Sequence, residues 1–553
     1  MSEEPLPLIE VRNLNVSFGT NHVVRDVSFS LQPGACLALV GESGSGKSVT
    51  ARSLIGLAGP RSTVRAETMS LAGRDVRALG QRAWRRLRGK DVGFILQDAL
   101  TSLDPLRKIG REIDDALRLH IGGSPAQRAA RVMELLEAVG LDDPALRAGQ
   151  LSGELSGGMR QRALIASAIA LDPALLIADE PTTALDATIA AQVLDLLGQL
   201  RQQGSAMLMI SHDLAAVSRV ADAIAVMQSG RIVETGPAEQ VLGDPQHEYT
   251  KRLLRAVPAG KPRHTRLSPA VEPPECIAAP ASIKAPAEPG TDQRPAPVLT
   301  ARSLSKAFRT PGREDFTAVS DVEFELLPGQ TLGVVGESGS GKTTTARMVL
   351  GLLAPERGSV ELFGEPWSAL RESERRATRP KLGAIYQDPL SSFDPRMSVE
   401  RLLADALSAG ATRNPRAYRA RIDGLLGLVG LETSLASRNP ATLSGGQRQR
   451  LAIARALAPE PRVLICDEPV SALDVSIQAQ VLDLLDDLQR KLGLSYLFIS
   501  HDLAVIRHMS DRVLVMRGGA IVESGPVESV FNNPQHPYTR ALLSASPRIF
   551  AGE

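Results

Sequence analysis

Two stretches of this chain have the residue types and spacing to hold phosphate. Gly41-Glu42-Ser43-Gly44-Ser45-Gly46-Lys47-Ser48 returns as Gly336-Glu337-Ser338-Gly339-Ser340-Gly341-Lys342-Thr343. The glycines let the backbone curl until its N–H groups face phosphate oxygens. Lys47 or Lys342 then holds the outer phosphates, and Ser48 or Thr343 ligates Mg²⁺. Two carboxylate pairs, Asp179-Glu180 and Asp467-Glu468, complete that chemistry. Asp179 and Asp467 position Mg²⁺ mainly through its waters, and Glu180 and Glu468 polarise an attacking water as general bases. Gln97 and Gln387 can reach metal or water. His212 and His501, each in Ser-His-Asp, can contact a terminal phosphate and hold the water and base in place. Alone, each glutamine or histidine reads as a surface or structural residue; the repeated context singles them out.

Apolar runs must position these groups. Cys36–Val40 and Thr331–Val335 feed the phosphate loops, and Val92–Leu96 and Leu382–Tyr386 end at the glutamines. Ala174–Ala178 and Val463–Cys466 end at the carboxylate pairs, while Ala206–Ile210 and Tyr496–Ile499 lead to the histidines. Such runs suit buried parallel strands, and parallel sheets bind ligands at the carboxyl ends of their strands. A third element precedes a helix-patterned segment in each half: Leu155-Ser156-Gly157-Gly158-Met159 and Leu443-Ser444-Gly445-Gly446-Gln447. A serine and two glycines at a helix N-terminus form a further anion site.

Every one of these features recurs 288 to 295 positions later, so the 553 residues hold two domains on one plan, expected at 1–257 and 299–553. Between them, 258–298 reads as a proline-rich linker, with ten prolines from Pro258 to Pro297. It is expected to be disordered or loosely extended, able to reach on the order of 120 Å and open to trypsin at Lys261, Arg263, Arg266, Lys284 and Arg294. The net charge of +1 gives no global basic field for nucleic acid, and the run Arg82, Arg85, Arg86, Arg88, Lys90 is local. No uninterrupted apolar stretch is long enough to span a membrane, and the acidic start lacks a signal-peptide shape. Three cysteines make no disulfide framework; Cys36 and Cys466 fall in expected buried strands, Cys276 in the linker. A cytoplasmic setting is expected.

With these motifs in this order, the chain resembles the ATP-binding-cassette ATPases over nearly all of both halves. The resemblance implies an α/β fold of two tandem cassettes. Each would hold a RecA-like parallel-sheet core, an antiparallel β subdomain and a helical subdomain, the last near 98–161 and 388–449. It implies head-to-tail pairing, with ATP and Mg²⁺ between the phosphate loop of one half and the Ser-Gly-Gly signature of the other. One site would join Lys47, Ser48, Gln97, Asp179, Glu180 and His212 to Ser444 and Gly446. The other would join Lys342, Thr343, Gln387, Asp467, Glu468 and His501 to Ser156 and Gly158. Phe18 and Phe308 match the aromatic that stacks on adenine, with a strand-core role the alternative. Asp186 and Asp474 match the loop linking the two sites. Met159 stands where the signature usually has glutamine, and the site is expected to survive it.

The tails are similar to those of the peptide and nickel uptake branch: Asp244-Pro245-Gln246-His247-Glu248-Tyr249-Thr250 and Asn533-Pro534-Gln535-His536-Pro537-Tyr538-Thr539. Their local reading is a turn and an amphipathic closing helix. Many members of that branch carry a cysteine cluster near the tail; with only Cys276 there, no iron–sulfur cluster is expected. The resemblance implies two transmembrane permease subunits, an extracytoplasmic solute-binding protein, and a peripheral place on the cytoplasmic face of the plasma membrane. Coupling helices of the permeases would dock beside 97–106 and 387–396, with Leu103 and Phe393 as contacts. The rival readings are a soluble twin-cassette ribosome-associated translation factor and a DNA-repair cassette protein. The former usually carries a charged helical linker, the latter zinc-binding cysteines and a long coiled coil.

Overall fold

The structure is a computed structural model that describes residues 6–97, 102–183, 185–269, 295–309, 315–471 and 473–545. Asp98, Cys276, Lys284 and Arg294 lie outside the described residues. The chain divides into two compact units between Leu254 and Arg255.

In the first unit the apolar runs form the centre of a six-stranded sheet. Its spatial order is Arg231–Pro237, Ala223–Gln228, Cys36–Val40, Ala206–Ser211, Leu175–Asp179, Val92–Ile95. The last five are parallel to one another, and Arg231–Pro237 closes the edge as a hairpin with Ala223–Gln228. Cys36–Val40, Leu175–Asp179 and Ala206–Ser211 are buried along their whole length, which explains why they read as continuous apolar runs rather than alternations. A second, antiparallel sheet is built on Ile9–Phe18, paired with Asn21–Leu31, Ser62–Arg65 and Thr68–Leu71. Val11, Leu14 and Val16 of that sheet share one core with Leu39, Ile177 and Leu208 of the parallel sheet.

The second unit repeats the order: Leu382–Ile385, Val463–Asp467, Ser495–Ile499, Thr331–Val335, Arg512–Arg517, Ala520–Pro526. Its antiparallel sheet is built on Leu299–Phe308. Helical segments lie where the sequence places them: Ile109–His120, Pro125–Ala138 and Pro144–Gly149 in the first unit, Val399–Leu407 and Arg419–Leu428 in the second. No helix among the described residues is long and apolar enough to cross a membrane.

Two expectations need correction. The segment from Pro258 is not loosely extended throughout. Up to Ser268 it packs on the second unit, with Leu267 buried and Arg263, His264, Arg266 and Ser268 all engaged in polar contacts. Proline content misled because the arginines and Leu267 between the prolines find partners far away in sequence. Nor are Leu103 and Phe393 open contacts: both are buried, and Arg455 covers the Phe393 ring at 5.0 Å. Among the described residues of the first loop, Leu106 is an apolar side chain presented to solvent, 86% exposed.

Cys36 and Cys466 sit in the buried strands as expected, and burial pushes the Cys36 thiol up to about 12. A maleimide at pH 8 should therefore leave both unlabelled in the native chain, because the thiolate is the reactive form. Peptide mapping that finds either labelled before unfolding would contradict this packing.

Candidate active site

Adjacent parallel strands bring the chemistry together. Val40 is in register with Ser211, Asp179 with Ile210, and Ala178 with Ile95. Neighbouring strands lie about 4.8 Å apart. Their carboxyl ends therefore deliver the phosphate loop, His212, Glu180 and Gln97 to one edge.

The phosphate loop has no room for a side chain where it leaves the sheet. A β-carbon on Gly41 would lie 2.2 Å from the Met227 carbonyl oxygen, and one on Gly336 would lie 2.2 Å from that of Met516. Gly46 and Gly341, at φ 103° and 98°, turn the chain into the helices Lys47–Ser53 and Lys342–Val349. Ser43, Gly44, Ser338 and Gly339 are exposed at the loop crest, while Ser45 and Ser340 are buried beneath it. The Lys47 ammonium donates to the Gly41 and Glu42 carbonyls at 2.7 and 2.8 Å, and Lys342 repeats this with Gly336 and Glu337. The loop thus holds its lysine across its own mouth.

Ser48 Oγ donates to Asp179 Oδ1 at 2.8 Å, and Thr343 Oγ1 to Asp467 Oδ1 at 3.3 Å. Asp179 is fully buried; burial raises its pKa, against the opposing pull of Ser48 and Arg52. Asp467 is raised by burial and by Glu468. A hydroxyl beside a desolvated carboxylate is a hard oxygen donor set of the kind Mg²⁺ takes with phosphate and water.

Glu180 is the point where the other groups converge. Gln97 Nε2 donates to its Oε2 at 2.8 Å, Thr183 Oγ1 to the same oxygen at 3.0 Å, and His212 Nδ1 lies 3.3 Å from Oε1. Glu468 has Gln387 at 2.8 Å and His501 at 3.3 Å. Burial pushes both glutamates up, but the histidine and the loop lysine outweigh it, so each is held below the usual carboxylate range and stays ionised. Burial alone would lower His501; its contact with Glu468 overrides this and holds the imidazole above its ordinary value. Glu180 and Glu468 both adopt left-handed backbone, φ 52° and 50°. A β-carbon disfavours that region by about 1–2 kcal/mol, and such strain concentrates at functional positions.

Ser156 and Ser444 cap the helices Gly157–Ala168 and Gly445–Leu457, accepting from the N–H of Met159 and Gln447. Gln447 returns a bond by accepting from the Ser444 N–H at 3.1 Å, a contact a methionine cannot make. The departure at Met159 therefore loosens a cap and leaves the serine in place. The serine and first glycine are exposed at each helix start. The second glycine is a packing requirement: a β-carbon on Gly158 would lie 2.6 Å from Ile189, and one on Gly446 2.6 Å from Ile477. Those isoleucines begin the helices Ala187–Gln202 and Val475–Leu492, which follow Asp186 and Asp474. Phe18 and Phe308 end the two first strands of the antiparallel sheets. Phe18 is half-buried against the core, whereas Phe308 is exposed with the Lys306 ammonium 5.9 Å from its ring centre.

The tails do more than close the fold. The Glu42 N–H donates to Tyr249 Oη at 3.0 Å and the Glu337 N–H to Tyr538 Oη at 3.2 Å. Each tail is held in turn by Glu234 or Glu523, which accepts from two backbone N–H groups of the Gln-His pair. The recurrence of Tyr at one place in both tails was the available signal for this role. Tyr249→Phe or Tyr538→Phe leaves a loop N–H unpaired, at a cost of about 1 kcal/mol. The Michaelis constant for ATP should rise roughly fivefold with turnover little changed; an unchanged constant would show that the hydroxyl does not position the loop.

The family description "ABC transporter" matches residues 24–183 and 319–471, and "Oligopeptide/dipeptide transporter, C-terminal region" matches 233–281 and 522–553. The chain is 44% identical over 554 residues to the peptidoglycan transport ATP-binding protein YejF of Agrobacterium fabrum, covering 99% of this chain and 98% of that one. It is 42% identical over 607 residues to the oligopeptide transport ATP-binding protein OppD of Mycobacterium tuberculosis, covering 98% of each. It is 43% identical over 557 residues to the glutathione import ATP-binding protein GsiA of Escherichia coli O157:H7, covering 98% of this chain and 89% of that one. A solved archaeal ribosome recycling factor, in complex with a ribosomal stalk protein, matches with a TM-score of 0.58 at 22% identity, covering 91% of this chain and 88% of that one; this likeness is one of fold. The chain belongs to the ATP-binding-cassette transporter family, as an ATP-hydrolysing subunit whose two tandem cassettes each carry the oligopeptide/dipeptide-transporter C-terminal region.

Proposed function

We propose that this subunit powers uptake of di- and oligopeptides or related peptide conjugates from the cytoplasmic face of the plasma membrane, working with two permeases and an external solute-binding protein. The observation that carries the reading is the tail. Both copies match the oligopeptide/dipeptide region, and both touch the phosphate loop through Tyr249 and Tyr538. The relatives named for peptidoglycan, oligopeptide and glutathione transport support the same solute class.

The two sites are composite in this reading, each phosphate loop facing the signature serine and glycines of the other half, within cassettes 1–257 and 299–553. The exposed helix starts at Ser156 and Ser444 suit an anion there. Ser48 with Asp179, and Thr343 with Asp467, would hold Mg²⁺, with Gln97 and Gln387 within reach of it. When bound, that ion neutralises charge developing on the transferring phosphoryl group. Glu180 and Glu468 take the proton of the attacking water, Gln97 and Gln387 fix their carboxylates, and His212 and His501 orient water and terminal phosphate. Phe18 and Phe308 would stack on adenine.

The permeases would receive this motion at the loops after Gln97 and Gln387. Leu106→Asp tests the contact, because Leu106 is exposed and outside the nucleotide constellation. Solute uptake and permease co-purification should fall severalfold while ATP affinity holds. Retained co-purification with normal uptake would remove this docking site, and capture of ribosomes instead of permeases would favour the translation-factor reading.

A further inference from the structure

The two cassettes differ on one face. In the first, the helix Ala187–Gln202 carries Asp195, Gly198, Gln199 and Arg201. Arg201 pairs with Asp222 at 2.6 Å, and Arg219 pairs with Asp195 at 2.8 Å. That face satisfies its own charges. At the corresponding positions the second cassette has Asp483, Asp486, Asp487 and Gln489, with His508 in place of Arg219 and Asp511 in place of Asp222. Both arginines are gone and two carboxylates are added; Arg490, in place of Gln202, reaches Asp486 at 3.1 Å and Asp487 at 2.7 Å, and leaves Asp483 and Asp511 to other partners. With residues 258–268 packed over this face, Asp483 and Asp486 are over nine-tenths buried, and burying a carboxylate is strongly unfavourable unless it is well hydrogen-bonded.

The segment Pro258–Ser268 supplies the further contacts. Arg263 pairs with Asp511 and donates to Gln489 Oε1 at 2.9 Å, so it stands where Arg201 stands in the first cassette. Asp483 accepts from the Leu267 N–H at 3.0 Å and the Ser268 N–H at 2.8 Å. His264 Nδ1 lies 2.7 Å from Asp486, and Arg266 donates to Asp487 at 3.1 Å. Leu267 is buried, and His508 is buried in the same region.

We propose that residues 258–268 are an intramolecular docking peptide for the acidic face of the helix Val475–Leu492, and that the arginine-for-glutamine and arginine-for-histidine exchanges let only the second cassette accept it. The docked peptide also braces the helix that follows Asp474, the loop expected to link the two ATP sites.

Amide hydrogen exchange in the full chain tests this. Leu267 and Ser268 should exchange at least tenfold more slowly than in a synthetic peptide of residues 258–268. Gln489→Arg with His508→Arg, which installs the first cassette's side chains, should bring them near the free-peptide rate while the unfolding midpoint holds. Should that pair disturb folding, Arg263→Gln with Arg266→Gln leaves the cassette face untouched and should release the segment equally. Free-peptide exchange in the wild-type chain, or full protection in the folded variants, would overturn the proposal.

Discussion

Glu180→Gln should lower ATP turnover at its site by about 10²–10⁴, and Glu468→Gln should do the same at the other. The loss corresponds to roughly 3–5 kcal/mol of barrier. Glutamine keeps the side-chain length and can still accept from Gln97 or Gln387, so the 2.8 Å contact can persist and the loop geometry with it. What disappears is the negative charge that the proposed mechanism uses to draw a proton from water. Both glutamates have a glutamine at 2.8 Å, a histidine at 3.3 Å and left-handed backbone, so turnover is expected at both sites. Turnover of each single variant in the assembled transporter, with nucleotide affinity measured beside it, checks this. Near-wild-type turnover in either variant would contradict the equivalence of the two halves.

Lys47→Ala or Lys342→Ala should act on binding first. Each ammonium is buried and bonded to two carbonyls of its own loop. Its removal takes away a charged donor to phosphate and leaves those carbonyls to water. A charge-assisted hydrogen bond contributes about 1.5–3 kcal/mol, so nucleotide affinity at that site should fall roughly ten- to a hundredfold. Titration with a fluorescent ATP analogue measures this directly. Unchanged affinity would mean that the loop's backbone N–H groups alone carry the phosphates.

Much of this was legible in the sequence because the chemistry sits at the ends of buried strands. Cys36–Val40, Leu175–Asp179 and Ala206–Ser211 announce themselves as apolar runs, and each critical residue comes next in the chain. What was not legible depends on partners distant in sequence. Nothing near Arg263 indicates that Asp511 and Gln489 will receive it, and proline content pointed the other way. Tyr249 reads as a helix-face aromatic until the fold brings it to Glu42, 207 positions earlier. Leu103 and Phe393 read as docking contacts because they lie in turn-rich loops beside the glutamines, yet both are buried, Phe393 under Arg455.

The measurement closest to the central claim is ATP-dependent uptake of a labelled tripeptide by cells that lack this subunit and carry either the wild-type chain or the double variant Glu180→Gln, Glu468→Gln. The account predicts uptake restored by the wild-type chain and held at background by the double variant, with equal amounts of each chain at the membrane. Equal uptake with the double variant, or with neither chain present, would contradict it.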